Sequence, residues 1–246
     1  RHDPEVRDVP HPAPGPGQVL VRIAGAGMCH SDLHLIHDFE SGMVPFEPPF
    51  TLGHENAGWV EAVGAGVVGL ELGQPVAVYG PTGCGRCHRC VQGMQNYCEH
   101  QSELTSMAAG LGDDGGMAQF MLVRDARHLV PLGDLDPVEA APLTDAGLTP
   151  YHAVKRSADL LVAGSTALVI GVGGLGHLGV QILEALTPAT VIAVDTRTSA
   201  LELAATAGAE HTVQAGDDAA AEIADLTGGK NADVVLDFVG SDSTIQ

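Results

Sequence analysis

The sequence predicts a β-rich N-terminal domain followed by an α/β domain built on a parallel sheet. Short β-branched runs punctuated by Gly and Pro fill residues 16–80. Near residue 137 the pattern changes to strands alternating with helices. Those strands are uniformly apolar, as in a parallel sheet covered on both faces. A glycine-rich turn stands between the first such strand and the helix after it.

In order, "QVLVRIAGAG", "AGWVEAVGAGV" and "QPVAVYG" read as strands of a small antiparallel barrel or sandwich. Residues 81–115 have little apolar periodicity, and a loop that long is either functional or needs a staple. "GMAQFMLVRDARHLVPLG" returns to strand character, and "PVEAAPLTDAGLTPYHAVKRS" reads as helix. Then come strand "TALVIGV", helix "GLGHLGVQILEAL", strand "TVIAVD" and helix "SALELAATAG", closed by Gly208. Strand "EHTVQA", helix "AAAEIADLTGG" and strand "ADVVLDFVG" follow, and the sequence ends at "SDSTIQ". A full dinucleotide-binding sheet has about six strands where four are read here. The expectation is a parallel-sheet α/β domain over residues 146–246 that falls short of the full sheet, after a first domain over residues 1–145. "ADVVLDFVG" would then be an unpaired edge.

With 246 residues, 45% hydrophobic and 17% charged, the chain is in the globular range. A formal net charge of −20 argues against nucleic acid and anionic membrane surfaces as partners. The acidity, with Lys155 and Lys230 the only lysines, reads as solubility or salt tolerance. No apolar run approaches the roughly 20 residues of a membrane span. "RHDPEVRDVP" has no apolar h-region, which predicts no signal peptide and a cytoplasmic protein with reduced cysteines. It also lacks a start Met, so residues are expected to precede it.

Four of the 5 cysteines, Cys84, Cys87, Cys90 and Cys98, have the spacing C-x2-C-x2-C-x7-C. Disulfides between residues three apart are strained, and a reducing compartment opposes them. A thioredoxin-like pair needs one C-x-x-C at a helix start near a βαβ unit. Four thiolates can close around one tetrahedral Zn²⁺ at about 2.3 Å each and order the loop. An iron–sulfur cluster is the runner-up. The fifth cysteine, Cys29, lies in "GMCHSD", and His54 follows in "GHE". Both suit a catalytic zinc, which takes three protein ligands and leaves one position open. On chemistry alone a third ligand must still be found, and a buried cysteine and a core histidine are the alternative reading.

"GMCHSDLH", "LGHENAG", "GCGRCHRCVQGMQNYC", "PLTDAGLTPYHA" and "GVGGLG" occur in this order over nearly the whole chain. Together they resemble the zinc-dependent medium-chain alcohol dehydrogenases, in detail the bacterial NAD-dependent secondary alcohol dehydrogenases. The resemblance implies a GroES-like barrel catalytic domain ahead of a partial, C-terminally truncated Rossmann domain. It implies that Cys29, His54 and Asp145 hold a catalytic zinc, with Glu55 as a transient ligand, and that the four clustered cysteines hold a structural one. Asp32 resembles the carboxylate that holds the zinc-ligating histidine by a hydrogen bond. An N-cap on a short helix is its other reading, and the two are compatible. One departure is Gly73-Gln74-Pro75-Val76, where the family often has Gly-Asp-x-Val, a matter of turn structure.

Gly171-Val172-Gly173-Gly174-Leu175-Gly176 fits G-x-G-x-x-G after a strand and at the opening of a helix, the context that supports a dinucleotide fingerprint. The first Gly permits the turn, the second admits the pyrophosphate and the third allows close helix–strand packing. Backbone N–H groups and the helix dipole then hold the phosphates. Asp195 ends the next strand, where an acidic side chain accepts the ribose hydroxyls and repels a 2′-phosphate, so NAD is expected over NADP. Arg197 could in principle meet such a phosphate, and Asp195 has a turn or cap role as its alternative.

The resemblance further implies hydride transfer from a secondary alcohol to NAD, with the ketone as product. The hydroxyl proton would leave through Ser31, the cofactor ribose and His34 to water, a task that suits histidine. A solvated surface histidine is the other reading of His34. His30 would touch the cofactor phosphates and Thr149 would stand beside the nicotinamide. The few polar residues of "HDFESGMVPFEPPF" favour apolar substrates. Rival readings are a polyol, amino-alcohol or formaldehyde-adduct dehydrogenase of the same superfamily, or a non-catalytic zinc- and nucleotide-binding fragment. A homodimer or homotetramer is expected for the whole protein.

Overall fold

The computed structural model describes residues 4–38, 40, 42, 44 and 46–245, with backbone alone at 243 and 245. Phe39, Ser41, Met43 and Pro45 of the apolar "HDFESGMVPFEPPF" segment therefore lie outside the described residues. The chain divides into two compact units, Arg1–Asp145 and Ala146–Gln246. Among the described residues no helix is long and apolar enough to cross a membrane.

The first unit contains, in order, β1 (Val19–Gly27), α1 (His30–His37), β2 (Glu55–Val63), β3 (Pro75–Val78) and α2 (His88–Val91). The two-residue strands β4 (Ala108–Ala109) and β5 (Gly112–Asp113) follow, then β6 (Phe120–Val123), β7 (Leu129–Pro131) and α3 (Pro137–Ala140). Five strands form an antiparallel sheet in the order β6-β1-β2-β3-β7. Its core is β-branched, as the sequence suggests: Val19, Val21, Val60, Val76, Val78 and Val123 are buried with Met121 and Leu129. The segment between β3 and β6 is less featureless than expected. It holds α2, two 3-10 turns (Gln95–Tyr97 and Gln101–Glu103) and the β4–β5 pair. Pieces this short carry no readable period.

The helix expected over "PVEAAPLTDAGLTPYHAVKRS" is broken. It runs as α3, a 3-10 turn at Ala141–Thr144, and then α4 (Leu148–Arg156). In a continuous helix the Ala141 carbonyl would accept from the Asp145 N–H. Here the Thr144 hydroxyl donates to it instead, at 2.8 Å, and the Asp145 N–H turns to Pro142 O. Such side-chain competition for the backbone disfavours helix. Asp145 leaves helical space at φ −135°, ψ −62°.

The second unit opens with α4 and continues as β8 (Thr166–Ile170), α5 (Gly176–Leu186), β9 (Thr190–Asp195), α6 (Thr198–Thr206), β10 (His211–Gln214), α7 (Ala219–Leu226) and β11 (Val234–Asp237). The four strands are parallel, in the order β10-β9-β8-β11. Successive side chains point to opposite faces of a strand. Ala167, Val169, Val191 and Ala193 pack on one face with Val154, Val180, Leu183 and Ala204 of the helices. Leu168, Ile192 and Val194 pack on the other with Val213 and Ile223. A short helix α8 (Asp242–Ile245) closes the chain, where the sequence suggested no element.

Candidate functional site

The four clustered cysteines converge. Cys87 begins α2, Cys90 lies within it, and Cys98 ends the 3-10 turn at Gln95–Tyr97. Sγ of Cys84 is 4.0 Å from that of Cys90, and Sγ of Cys87 is 4.0 Å from that of Cys98. A disulfide needs about 2.05 Å. Four sulfurs at about 2.3 Å from one tetrahedral ion stand about 3.8 Å apart. An iron–sulfur cluster, with several atoms between its ligands, needs them further apart. The spacing therefore fits a single ion. Backbone N–H groups of Cys84, Cys87, Cys90 and His100 all donate to these sulfurs at 3.3–3.5 Å. They favour thiolate, and the donors from Cys90 and Glu99 pull the Cys87 thiol down. Burial and the neighbouring sulfurs push Cys90 up.

A second set gathers Cys29, His54 and Asp145, whose donor atoms all lie within 4.8 Å of one another. Cys29 precedes α1 in extended conformation, His54 immediately precedes β2, and Asp145 sits at the break between α3 and α4. Nε2 of His54 is 3.6 Å from Oδ2 of Asp145, and its Nδ1 faces Oδ1 of Asp32 at 3.5 Å. Asp32 is fully buried, and its other oxygen accepts the Cys29 N–H at 2.9 Å. Asp32 thus faces the His54 ring with one oxygen and pairs the Cys29 N–H with the other, although it sits at the third helical position and not at the cap itself. Among the described residues, Oδ1 of Asp32 and Nδ1 of His54 are buried with no hydrogen-bond partner.

Burial opposes charge on His54, yet Asp145, Asp32 and Cys29 outweigh it and the imidazole pKa is pushed up to about 12. Two carboxylates and a thiol around one imidazole call for a cation. A soft sulfur, an imidazole nitrogen and a carboxylate oxygen are a donor set that zinc accepts. Glu55 is buried but outside this set. Its carboxylate occupies the space a Cβ would need at Gly27.

Thr144 was not singled out by the sequence. Its Oγ1 accepts the Asn56 N–H at 3.1 Å, across 88 residues, while donating to Ala141 O. One hydroxyl thereby ties the strand after His54 to the turn before Asp145. Thr144→Val leaves both partners unpaired, a cost of about 1–3 kcal/mol. The melting temperature should fall by about 2–10 °C, while Thr144→Ser holds it. Equal melting of the two variants in a thermal scan would contradict this link.

On α1, Ser31 Oγ accepts from Cys29 Sγ at 3.6 Å. His34 Nδ1 lies 2.8 Å from Asp38 Oδ2, and the His34 ring stacks on that of His30. Thr149 is exposed in the first turn of α4.

The glycine turn joins β8 to α5. Gly171 adopts φ +85°, a region costly for other residues. A Cβ at Gly176 would strike the Gly171 carbonyl oxygen, whereas one at Gly173 or Gly174 would meet nothing within 4 Å. The backbones of Gly173 and Gly174 are therefore open to approach from outside. Overpacking predicts that Gly176→Val weakens cofactor binding by about tenfold or more, read by fluorescence titration; an unchanged affinity would contradict the close-approach argument. His177 was also missed. Its Nδ1 bonds Gly173 O at 2.8 Å and braces the turn.

Asp195 is more committed than expected. Its Oδ2 accepts the Val172 N–H at 2.8 Å, and its Oδ1 accepts the Arg197 N–H at 2.8 Å and Nε at 3.2 Å. Burial raises its pKa, but Arg197 and the two backbone donors prevail and hold it below the usual carboxylate range.

Residues 15–134 match the family described as alcohol dehydrogenase GroES-like domain, and residues 174–246 the family described as zinc-binding dehydrogenase. An NAD-dependent alcohol dehydrogenase of Sulfurisphaera tokodaii is 40% identical over 248 residues, covering 98% of this chain and 70% of the relative. The crystal structure of the alcohol dehydrogenase from Aeropyrum pernix superposes with a TM-score of 0.88 at 43% identity, covering 98% of this chain and 70% of that one. Acetophenone reductase from Geotrichum candidum, solved with NAD, gives a TM-score of 0.80 at 38% identity, covering 98% of this chain and 66% of that one. The chain therefore belongs to the zinc-binding alcohol dehydrogenase family, with a GroES-like domain followed by a zinc-binding dehydrogenase domain, and it spans 70% of the length of the Sulfurisphaera relative.

Proposed function

We propose that the protein is an NAD-dependent zinc alcohol dehydrogenase that moves a hydride between NAD and a secondary alcohol or its ketone. The observation that carries this reading is the incomplete ligand set: three donors, Cys29, His54 and Asp145, gathered in one place. A site of three protein ligands keeps a position for substrate, whereas the four cysteines form a closed set. Two zinc ions per chain follow, one catalytic and one structural. Zinc at the first site supplies Lewis acidity that makes a substrate hydroxyl acidic near neutral pH.

The chain's own residues do the rest. Asp32 orients His54 from behind, and Glu55 stands by as an exchanging ligand. Ser31 takes the hydroxyl proton, and His34 passes it to water beyond the cofactor ribose. The N–H groups over Gly173 and Gly174 receive the pyrophosphate, with His30 as a further phosphate contact and Thr149 beside the nicotinamide. Asp195 takes the ribose hydroxyls, sharing its oxygens with Arg197. The edge-to-face pair of Phe46 and Phe50, ring centroids 5.4 Å apart, is in keeping with an apolar substrate. So is the ketone named for the Geotrichum relative. We place the enzyme in the cytoplasm as a homodimer or homotetramer.

NADH formation by the full chain is followed with 2-propanol, ethanol and sorbitol. The fastest turnover is expected with 2-propanol and NAD. Preference for sorbitol would move the protein to the polyol enzymes, and turnover with NADP alone would overturn the role of Asp195.

A further inference from the structure

Helix α1 carries His30, His34 and His37, spaced four and three residues apart, so that they share one stripe of the helix. Two of them already stand together. The rings of His30 and His34 are stacked, parallel within 5° with centroids 4.7 Å apart, so the exposed His30 ring must turn for both Nε2 lone pairs to reach one ion. Both side chains are exposed. His34 Nδ1 is held 2.8 Å from Asp38 Oδ2. A neutral imidazole that gives its Nδ1 hydrogen to a carboxylate keeps its lone pair on Nε2. Carboxylates placed in this way orient histidine ligands and raise their basicity. Histidines four apart on a helix are the spacing by which one face offers two imidazoles to one ion. Imidazole suits Zn²⁺, Ni²⁺ and Cu²⁺, whereas Mg²⁺ and Ca²⁺ take oxygen ligands. The net charge of −20 favours cations at this surface.

We propose that His30 and His34, oriented by Asp38, form a third metal site for such a borderline divalent cation, and that its occupancy inhibits the enzyme. Neither histidine belongs to the two donor clusters described above. Water completes the coordination at this open surface. The inhibitory half rests on the reading of His34 as the proton exit. An ion on Nε2 of His34 takes the lone pair that would accept the proton.

The test uses the full chain, loaded with its own zinc and freed of excess metal, and Ni²⁺ as the probe. Equilibrium dialysis counts Ni²⁺ bound to the wild type, His30→Ala and Asp38→Asn, with turnover of the wild type followed in parallel. The wild type should hold one Ni²⁺ more per chain than His30→Ala. Asp38→Asn should bind that ion about tenfold more weakly. Wild-type turnover should fall in step with occupancy and return on dialysis. Equal Ni²⁺ uptake by the wild type and His30→Ala would overturn the site. Uptake without loss of turnover would overturn the inhibitory role and His34 as proton exit. That result would leave the zinc reading of Cys29, His54 and Asp145 intact, since a Cys29 variant tests it separately.

Discussion

Cys29→Ser is expected to lower kcat/KM by about 10³-fold or more while the protein stays folded. A Lewis-acidic metal contributes several kcal/mol to such a reaction. At about 1.4 kcal/mol per factor of ten, losing about 4 kcal/mol gives that loss. The fold should survive because Cys29 sits at the N-cap of α1, where serine is a preferred residue. Its backbone N–H also stays paired with Asp32, whatever its side chain. Circular dichroism and a thermal scan report on the fold, and steady-state kinetics on the loss. A variant within tenfold of the wild type would show that Cys29 is no ligand of the working metal.

The second large effect is at the cysteine lobe. Cys98→Ala should open residues 84–104 to proteolysis, with the second unit still folded. The lobe has little else to hold it. Its secondary structure is a four-residue helix and two 3-10 turns, and its buried cluster consists of the cysteines themselves with Leu104 against them. Structural zinc sites in small peptides supply apparent binding energies of about 10–16 kcal/mol, which is folding energy for the segment they order. Limited proteolysis with mass spectrometry, at a protease level that spares the wild type, should locate new cuts in this lobe. Cys98→Ala and wild type cut at the same rate would contradict a structural ion there.

Local features were legible in the sequence. The cysteine lobe is announced by spacing alone, because its four sulfurs come from one short segment. The glycine turn is announced by a strand before it and a helix after it, and β8, β9 and β11 by apolar runs too uniform for a half-exposed sheet. Features that depend on distant residues were not legible. Asp145 entered the site only by resemblance, since its partners Cys29 and His54 lie far upstream and the residues around it read as uninterrupted helix. The break that places it is made by the Thr144 hydroxyl and Pro142, and the Asn56 N–H that completes the link is 88 residues away. Asp195 was placed by its position after β9. Its sharing between Val172 and Arg197 is set by where side chains turn, which no spacing encodes.

A division of the five cysteines into four for structure and one for catalysis fixes the metal content of the chain. Zinc counted per chain by native mass spectrometry tests it most directly. Two ions are expected in the wild type and one in Cys29→Ser, with the lobe still resistant to protease. One ion in the wild type, retained unchanged in Cys29→Ser, would contradict it.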